Sequence, residues 1–292
     1  MAQTQMALDS LDFDATVALA AKVAPHVDIL EIGTPCIKHN GIELLKTLRA
    51  KFPNNKILVD LKTMDAGFYE AEPFYKAGAD ICTVLGTADI GTIKGVIDVA
   101  NKYGKMAQVD LINVTDKKAR TLEVAKLGAH IIGVHTGLDQ QAAGQTPFAD
   151  LAMVTGLKTG AKVSVAGGVK AATVKQVVDA GADIVVAGAA IYGAADPAAS
   201  AKEITGLAHG SSASSAGFNW TPWVIAAAVV LLGLFLLKGA NKPAEEAAAP
   251  AATEQTEAAP AVEEAPAADA TAPAEAAPTE AAPAEAAPEA AK

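Results

Sequence analysis

The first two hundred residues predict an α/β fold, a (β/α)8 TIM barrel, from three observations. Short apolar runs alternate with amphipathic helical stretches eight times between Gln5 and about His209. The runs are nearly continuous in hydrophobicity, as parallel strands covered on both faces must be. Charged or titratable residues recur just where these runs end, and such barrels build their active sites at the C-terminal ends of their strands.

The units follow in order. A strand near 5–9 carries Gln5-Met6-Ala7-Leu8 and stops at Asp9, before a helix near 14–24. A second, near 28–32, brings Asp28-Ile29-Leu30 to Glu31, before a helix near 42–51. The third, near 56–61, brings Lys56-Ile57-Leu58-Val59 to Asp60, before a helix near 69–77. Strands near 81–85 and 106–111 precede helices near 89–103 and 117–127, and the latter strand ends at Asp110. The sixth, near 130–134, leads to His135 and a helix near 147–156. The last two, near 162–166 and 184–188, run into glycine-bearing loops before helices near 172–180 and 197–208. An internal echo supports the repeat: Ala77-Gly78-Ala79-Asp80 and Ala180-Gly181-Ala182-Asp183 lead into strands four units apart, with Leu127-Gly128-Ala129-His130 a weaker copy. Glycine just past each helix suits a cap that needs positive φ.

Asp60-Leu61-Lys62-Thr63-Met64-Asp65 is the most chemically suggestive run. Strand alternation puts Asp60 and Lys62 on one face. Two carboxylates around one ammonium read either as a surface ion pair after a strand or as a buried catalytic group. Asp9, Glu31, Asp110 and His135 at neighbouring strand ends favour a polar cleft. Glu31 and Asp60 are oxygen donors suited to Mg²⁺ that keeps several waters. Lys62 could stabilise an enolate-like oxyanion. His135 is a proton carrier or a satisfied structural imidazole; His26, His39, His130 and His209 receive no role. Gly167 and Gly168 after the seventh strand, with Gly188 and Ala189 after the eighth, either form tight turns or let backbone N–H groups approach a phosphate, which barrels often hold at these loops. The residues alone thus describe a barrel enzyme for a small phosphorylated substrate.

Asp60-x-Lys62-x-x-Asp65 resembles the D-x-K-x-x-D motif of the orotidine 5′-monophosphate decarboxylase suprafamily. Glu31-Ile32-Gly33-Thr34-Pro35, Ser164-Val165-Ala166-Gly167-Gly168-Val169 and the run from Ala187 to Pro197 (AGAAIYGAADP) extend the resemblance toward the 3-hexulose-6-phosphate synthases, over Gln5 to about His209. That resemblance implies aldol addition of formaldehyde to D-ribulose 5-phosphate, the formaldehyde-fixing step of the ribulose monophosphate pathway, with Mg²⁺ or Mn²⁺. It implies Glu31 and Asp60 as metal ligands, Lys62 at the enediolate and His135 in proton transfer at C1. It also implies Asp65 reaching across a homodimer interface, Asp9 and Asp110 contacting substrate, and Gly167, Gly168, Gly188 and Ala189 holding phosphate. A separate 6-phospho-3-hexuloisomerase would act next. The related 3-keto-L-gulonate 6-phosphate decarboxylases carry arginine at the position of Leu138, tend to have glutamate at Asp110 and arginine at Ala189; all three departures favour the synthase. A non-catalytic, membrane-tethered scaffold is the third reading, and the Asp60/Lys62/Asp65 set argues against it.

The composition changes after residue 209. Residues 210–219 read as a Gly/Ser linker. Residues 220–238 combine Trp220 and Trp223 with an apolar run from Val224 to Leu237, near the lower length of a transmembrane helix with aromatic anchors. Residues 239–292 are an Ala/Pro/Glu tail expected to be disordered. Of the formal charge of −10, residues 238–292 carry −8, from 11 acidic and 3 basic side chains, so the acidity belongs to the tail and says nothing of substrate. The lysines after the apolar run would export the barrel by the positive-inside rule, whereas a substrate pool of sugar phosphates and the lack of a signal peptide favour a cytoplasmic, membrane-associated catalytic domain. Residues 210–292 read either as a native anchor beside a source of formaldehyde or as a fused segment. Cys36 and Cys82 form no metal or disulfide spacing. The barrel has no basic excess, no dinucleotide glycine motif and no phosphate-loop lysine motif, which argues against nucleic-acid or nucleotide binding.

Overall fold

Eight parallel strands close into a barrel in chain order, with β1 pairing both β2 and β8. The computed structural model describes residues 1–210. The strands are β1 (Gln3–Leu8), β2 (Ile29–Ile32), β3 (Lys56–Thr63), β4 (Ile81–Leu85), β5 (Met106–Asp110), β6 (Ile131–His135), β7 (Lys162–Ala166) and β8 (Ile184–Ala187). The helices are α1 (Phe13–Val23), α2 (Thr34–Lys51), α3 (Gly67–Lys76), α4 (Ile90–Lys102), α5 (Lys117–Lys126), α6 (Leu138–Ala142), α7 (Phe148–Gly156), α8 (Ala171–Asp179), α9 (Ala189–Tyr192) and α10 (Pro197–Ala208). The (β/α)8 expectation therefore holds. The glycines of the internal echo have positive φ, 109° at Gly78, 88° at Gly128 and 93° at Gly181, as their capping role requires.

Alternation along the strands divides the interior into two tiers. Ile29, Leu58, Ile81, Ile131, Ile184 and Val186 pack together inside the barrel. Two residues farther along their strands, the same inward face carries Glu31, Asp60, Thr83, Gly133 and Gly188. The other strand faces bury Leu30, Ile57, Val59, Val84, Val109 and Ile132 against the helices. The lower tier closes the barrel with hydrocarbon, and the upper tier is free to be polar.

Four expectations need correction. The second helix starts at Thr34, not near 42, because Pro35 is accommodated in its first turn; Gly41 (φ 63°, ψ −166°) then breaks the helical path. Helices α6 and α9 were not expected, being too short to show a 3.6-residue period. The sixth strand runs to His135 itself. Strand β3 is not regular: its pairing with β4 jumps from Val59↔Cys82 to Thr63↔Val84, leaving Asp60, Leu61 and Lys62 in a bulge. Among the described residues, no helix is long and apolar enough to cross a membrane. The expected linker (210–219, apart from Gly210), transmembrane helix (220–238) and disordered tail (239–292) lie outside those residues.

Candidate active site

A cavity of about 1150 Å³ opens at the C-terminal ends of the strands. Asp9, Glu31, Asp60, Lys62, Asp110 and His135 all line it, so the structure gathers the titratable groups of five strand ends in one place. The bulge in β3 sets the centre. Lys62 takes a left-handed conformation (φ 47°), with its N–H donating to Thr83 Oγ1 at 2.9 Å. Bulges of this kind re-aim side chains beside active sites. Its Nζ donates to Asp60 Oδ2 at 2.6 Å and lies 3.4 Å from Asp110 Oδ2. Burial would lower the Lys62 ammonium, but the charges of Asp60 and Asp110 outweigh it and hold the group well above the ordinary lysine range.

Asp60 is buried and receives more than Lys62. Thr34 Oγ1 donates to its Oδ2 at 2.6 Å and Thr83 Oγ1 to its Oδ1 at 2.7 Å. Three donors occupy most of the lone-pair directions of one carboxylate and fix its orientation. Asp110 and His135 form a second couple, with His135 Nδ1 2.9 Å from Asp110 Oδ2. Burial pushes Asp110 up, yet the hydrogen bond and charge of His135, together with Lys62, hold it below its ordinary value. Burial likewise lowers His135, and the bond to Asp110 reverses that, raising the imidazole. The couple engages Nδ1 and leaves Nε2 outside it.

Glu31 and Asp9 lack such partners. Burial and the neighbouring Asp60 charge push Glu31 up to about 8, against the pull of a 2.7 Å hydrogen bond from Gln5 Nε2. Asp9 is open to cavity solvent but walled by protein, and burial followed by Asp60 raises it too. Gly33 makes room for Asp9: a Cβ there would sit 2.0 Å from Asp9 Oδ1. The carboxylates thus outnumber the cations at the cavity floor. Glu31 and Asp60 are oxygen donors that could hold a divalent ion, whereas among the described residues no three His, Cys, Asp or Glu side chains converge on one point.

The expected phosphate loops also line the cavity, with Gly167, Gly168, Gly188 and Ala189 together on one side. Gly167 (φ 109°) lies against Thr136, whose carbonyl oxygen would be 2.4 Å from any Cβ at position 167. Asp65 is the expected residue that does not join them. It is exposed, accepts the Ala66 N–H at 2.7 Å, and lines a separate depression with Phe68, Tyr69 and Asp89. Sequence reasoning missed Thr34, Thr83, Gln5 and Ser164. A signal existed in the inward alternation: Gln5 and Ser164 both pair with residues of β8 on the barrel's inner face, and Thr83 follows Ile81 by two.

Residues 2–204 match the model of the orotidine 5′-phosphate decarboxylase / HUMPS family. The 3-hexulose-6-phosphate synthase of Methylomonas aminofaciens is 88% identical over 208 residues, covering 71% of this chain and 100% of that protein. A crystal structure of 3-hexulose-6-phosphate synthase from Salmonella typhimurium superposes with a TM-score of 0.70 at 40% identity, covering 72% of this chain and all of that one. A 3-keto-L-gulonate-6-phosphate decarboxylase from Vibrio cholerae is more distant, with a TM-score of 0.64 and 27% identity over 71% of this chain and 97% of that one. From the barrel, its motif-bearing strand ends and these likenesses, the chain belongs to the orotidine 5′-phosphate decarboxylase / HUMPS family, on its 3-hexulose-6-phosphate synthase side.

Proposed function

We propose that the barrel adds formaldehyde to C1 of D-ribulose 5-phosphate, giving D-arabino-hex-3-ulose 6-phosphate, as an aldehyde-lyase of formaldehyde fixation. The observation that carries the reading is the Asp60–Lys62–Asp110–His135 chain at the floor of a cavity whose other side is a glycine-rich, phosphate-sized cradle. His135 takes the proton from C1, and Lys62 neutralises the enediolate charge that this creates. The enediolate carbon attacks the formaldehyde carbon, forming the new C–C bond. The resulting alkoxide takes a proton back from His135, so the cycle is balanced. Asp110 keeps the imidazole oriented throughout. Leu138, exposed at the cavity edge, offers no charge for a carboxylated substrate, which favours aldol addition over decarboxylation. Purified full-length chain with Mg²⁺ is expected to consume formaldehyde only when ribulose 5-phosphate is present. An inactive, folded protein that instead decarboxylates 3-keto-L-gulonate 6-phosphate overturns the assignment.

Glu31 and Asp60 would hold Mg²⁺ or Mn²⁺, whose chemistry there is Lewis-acid polarisation of the ketose carbonyl. The raised Glu31 supports this, because an unneutralised buried carboxyl is a site that a cation relieves. Its folded value of about 8 exceeds the ordinary 4.5, so the folded state binds more protons than the unfolded one between those limits. The Glu31 contribution to stability therefore falls as pH rises across that window, and a bound cation should offset the fall. Millimolar Mg²⁺ is expected to raise Tm by roughly 5 °C at pH 8 and by little at pH 5. Glu31→Gln should abolish most of that difference in a thermal melt. An equal Mg²⁺ shift in Glu31→Gln removes Glu31 from the ligand set.

The partnerships follow from the same reading. A homodimer places Asp65, exposed and outside its own cavity, at the neighbouring subunit's site, and a separate 6-phospho-3-hexuloisomerase consumes the product. Residues 220–238 tether a cytoplasmic barrel to the membrane, a proposal resting on their apolar run and flanking tryptophans. Cell fractionation is expected to leave the full chain with lipid after alkaline carbonate washing and to release a chain truncated after residue 209. Full recovery of the intact chain in a lipid-free fraction sinks the tether.

A further inference from the structure

A sugar phosphate brings about two negative charges into a cavity that already holds four carboxylates, and few cations are there to meet it. The whole chain has two arginines. Arg49 is bound to Asp80 and Arg120 to Glu123, and neither lines the cavity. Among the described residues the lysines that line it are Lys38, Lys62 and Lys170. Lys62 is held by Asp60 and Asp110. Lys38 lies on α2, the helix that follows the strand carrying Glu31, and like Lys170 has no carboxylate within 4 Å among the described residues. Lys170 differs in its place. It lies two residues past Gly168 on the β7–α8 loop, caps α8, and has no carboxylate within 4 Å among the described residues. The next two residues, Ala171 and Ala172, line the cavity as the first residues of α8, where N–H groups have no intrahelical partner. Position 189, the first residue of α9 after β8, is an alanine and supplies no charge.

We infer that Lys170 is the cation that recognises the substrate's phosphate, acting with the Gly167–Gly168 backbone and the start of α8. The inference rests on the aldol reading for the identity of the sugar but not for the anion. The glycines give the cradle its shape and are neutral, so affinity for a dianion falls to the one uncommitted ammonium on the same loop. Lys170 is exposed at the rim, which leaves its replacement without a packing cost and makes its effect on binding readable.

The test is calorimetric titration of inorganic phosphate into the full chain at constant ionic strength, beside steady-state kinetics. Lys170→Ala is expected to weaken phosphate binding and to raise KM for ribulose 5-phosphate by roughly tenfold or more. Its kcat and its KM for formaldehyde should stay within about twofold, as expected when uniform binding alone is lost. Lys170→Arg should restore binding to near the parent value. Parent-like phosphate affinity in Lys170→Ala, or a loss seen in Lys38→Ala instead, overturns the assignment, as does a parent chain that binds no phosphate. Lys170-dependent phosphate binding in a chain that fixes no formaldehyde upholds the subsite and refutes the aldol reaction, so the two failures are distinct.

Discussion

Lys62→Ala is expected to fix formaldehyde roughly 10³-fold more slowly than the parent, the scale seen when one preorganised charge stabiliser is removed from a reacting oxyanion. The ammonium sits 2.6 Å from Asp60 and 3.4 Å from Asp110 and is raised well above the ordinary lysine range, so it is charged at neutral pH. Its loss removes the positive charge from a floor still holding Asp9, Glu31, Asp60 and Asp110. An enediolate would then form beside these carboxylates with no ammonium at the floor to meet its charge. Arginine should not substitute well, because a planar fork cannot occupy the point between two carboxylates that Nζ fills. Stability should fall by about 1–3 kcal/mol, less than for a fully buried pair, since Asp60 keeps its bonds from Thr34 and Thr83 and Lys62 is partly exposed. Formaldehyde depletion and a thermal melt on the same preparation measure both. A folded Lys62→Ala chain within tenfold of the parent rate would remove Lys62 from the chemistry.

Gly167→Ala should cripple the other end of the cavity. A Cβ there would lie 2.4 Å from the Thr136 carbonyl oxygen, at a backbone φ of 109° that L-residues avoid. Thr136 cannot retreat freely: its N–H donates to Ala166 O at 3.1 Å and its carbonyl accepts from Gln141 Nε2 at 2.8 Å. The β7–α8 loop must therefore move, at a cost of about 2–4 kcal/mol from strain and overpacking. KM for ribulose 5-phosphate is expected to rise on the order of a hundredfold, because a cradle displaced by an ångström loses its hold on the anion. Gly168→Ala is the internal comparison. Its φ is 69° and the nearest neighbour of a Cβ would be Gln141 Oε1 at an ordinary 3.6 Å, so only about 1 kcal/mol of left-handed cost applies. Equal defects in the two variants would mean that the Thr136 contact is not what shapes the loop.

The sequence made the barrel legible because each strand is an unbroken apolar run and each run stops at a polar residue. It made the cavity floor legible for the same reason: Asp9, Glu31, Asp60, Asp110 and His135 are the stopping residues, and all five meet. Asp65, which the motif's resemblance assigns to a neighbouring subunit's site, lies outside its own chain's cavity. The β3 bulge was invisible because strand alternation assumes a uniform period, and nothing in Val59-Asp60-Leu61-Lys62 announces two extra residues. Thr34 was hidden because the second helix was expected to start near 42, whereas it starts at Thr34, with Pro35 in its first turn. Thr83 and Gln5 were hidden by being neutral, yet they orient the two carboxylates that matter most for charge.

The two-tier interior has a consequence for how such a chain can change over generations. Ile29, Leu58, Ile81, Ile131 and Ile184 carry the inner packing, and the chemistry sits one side-chain step above them on the same strands. A substitution in the upper tier alters reactivity while leaving the hydrocarbon plug below it in place. Lineages can therefore sample new reactions without first losing the fold. A scaffold partitioned this way is suited to relatives that share a barrel and diverge in what they make, as the synthases and decarboxylases similar to this chain do.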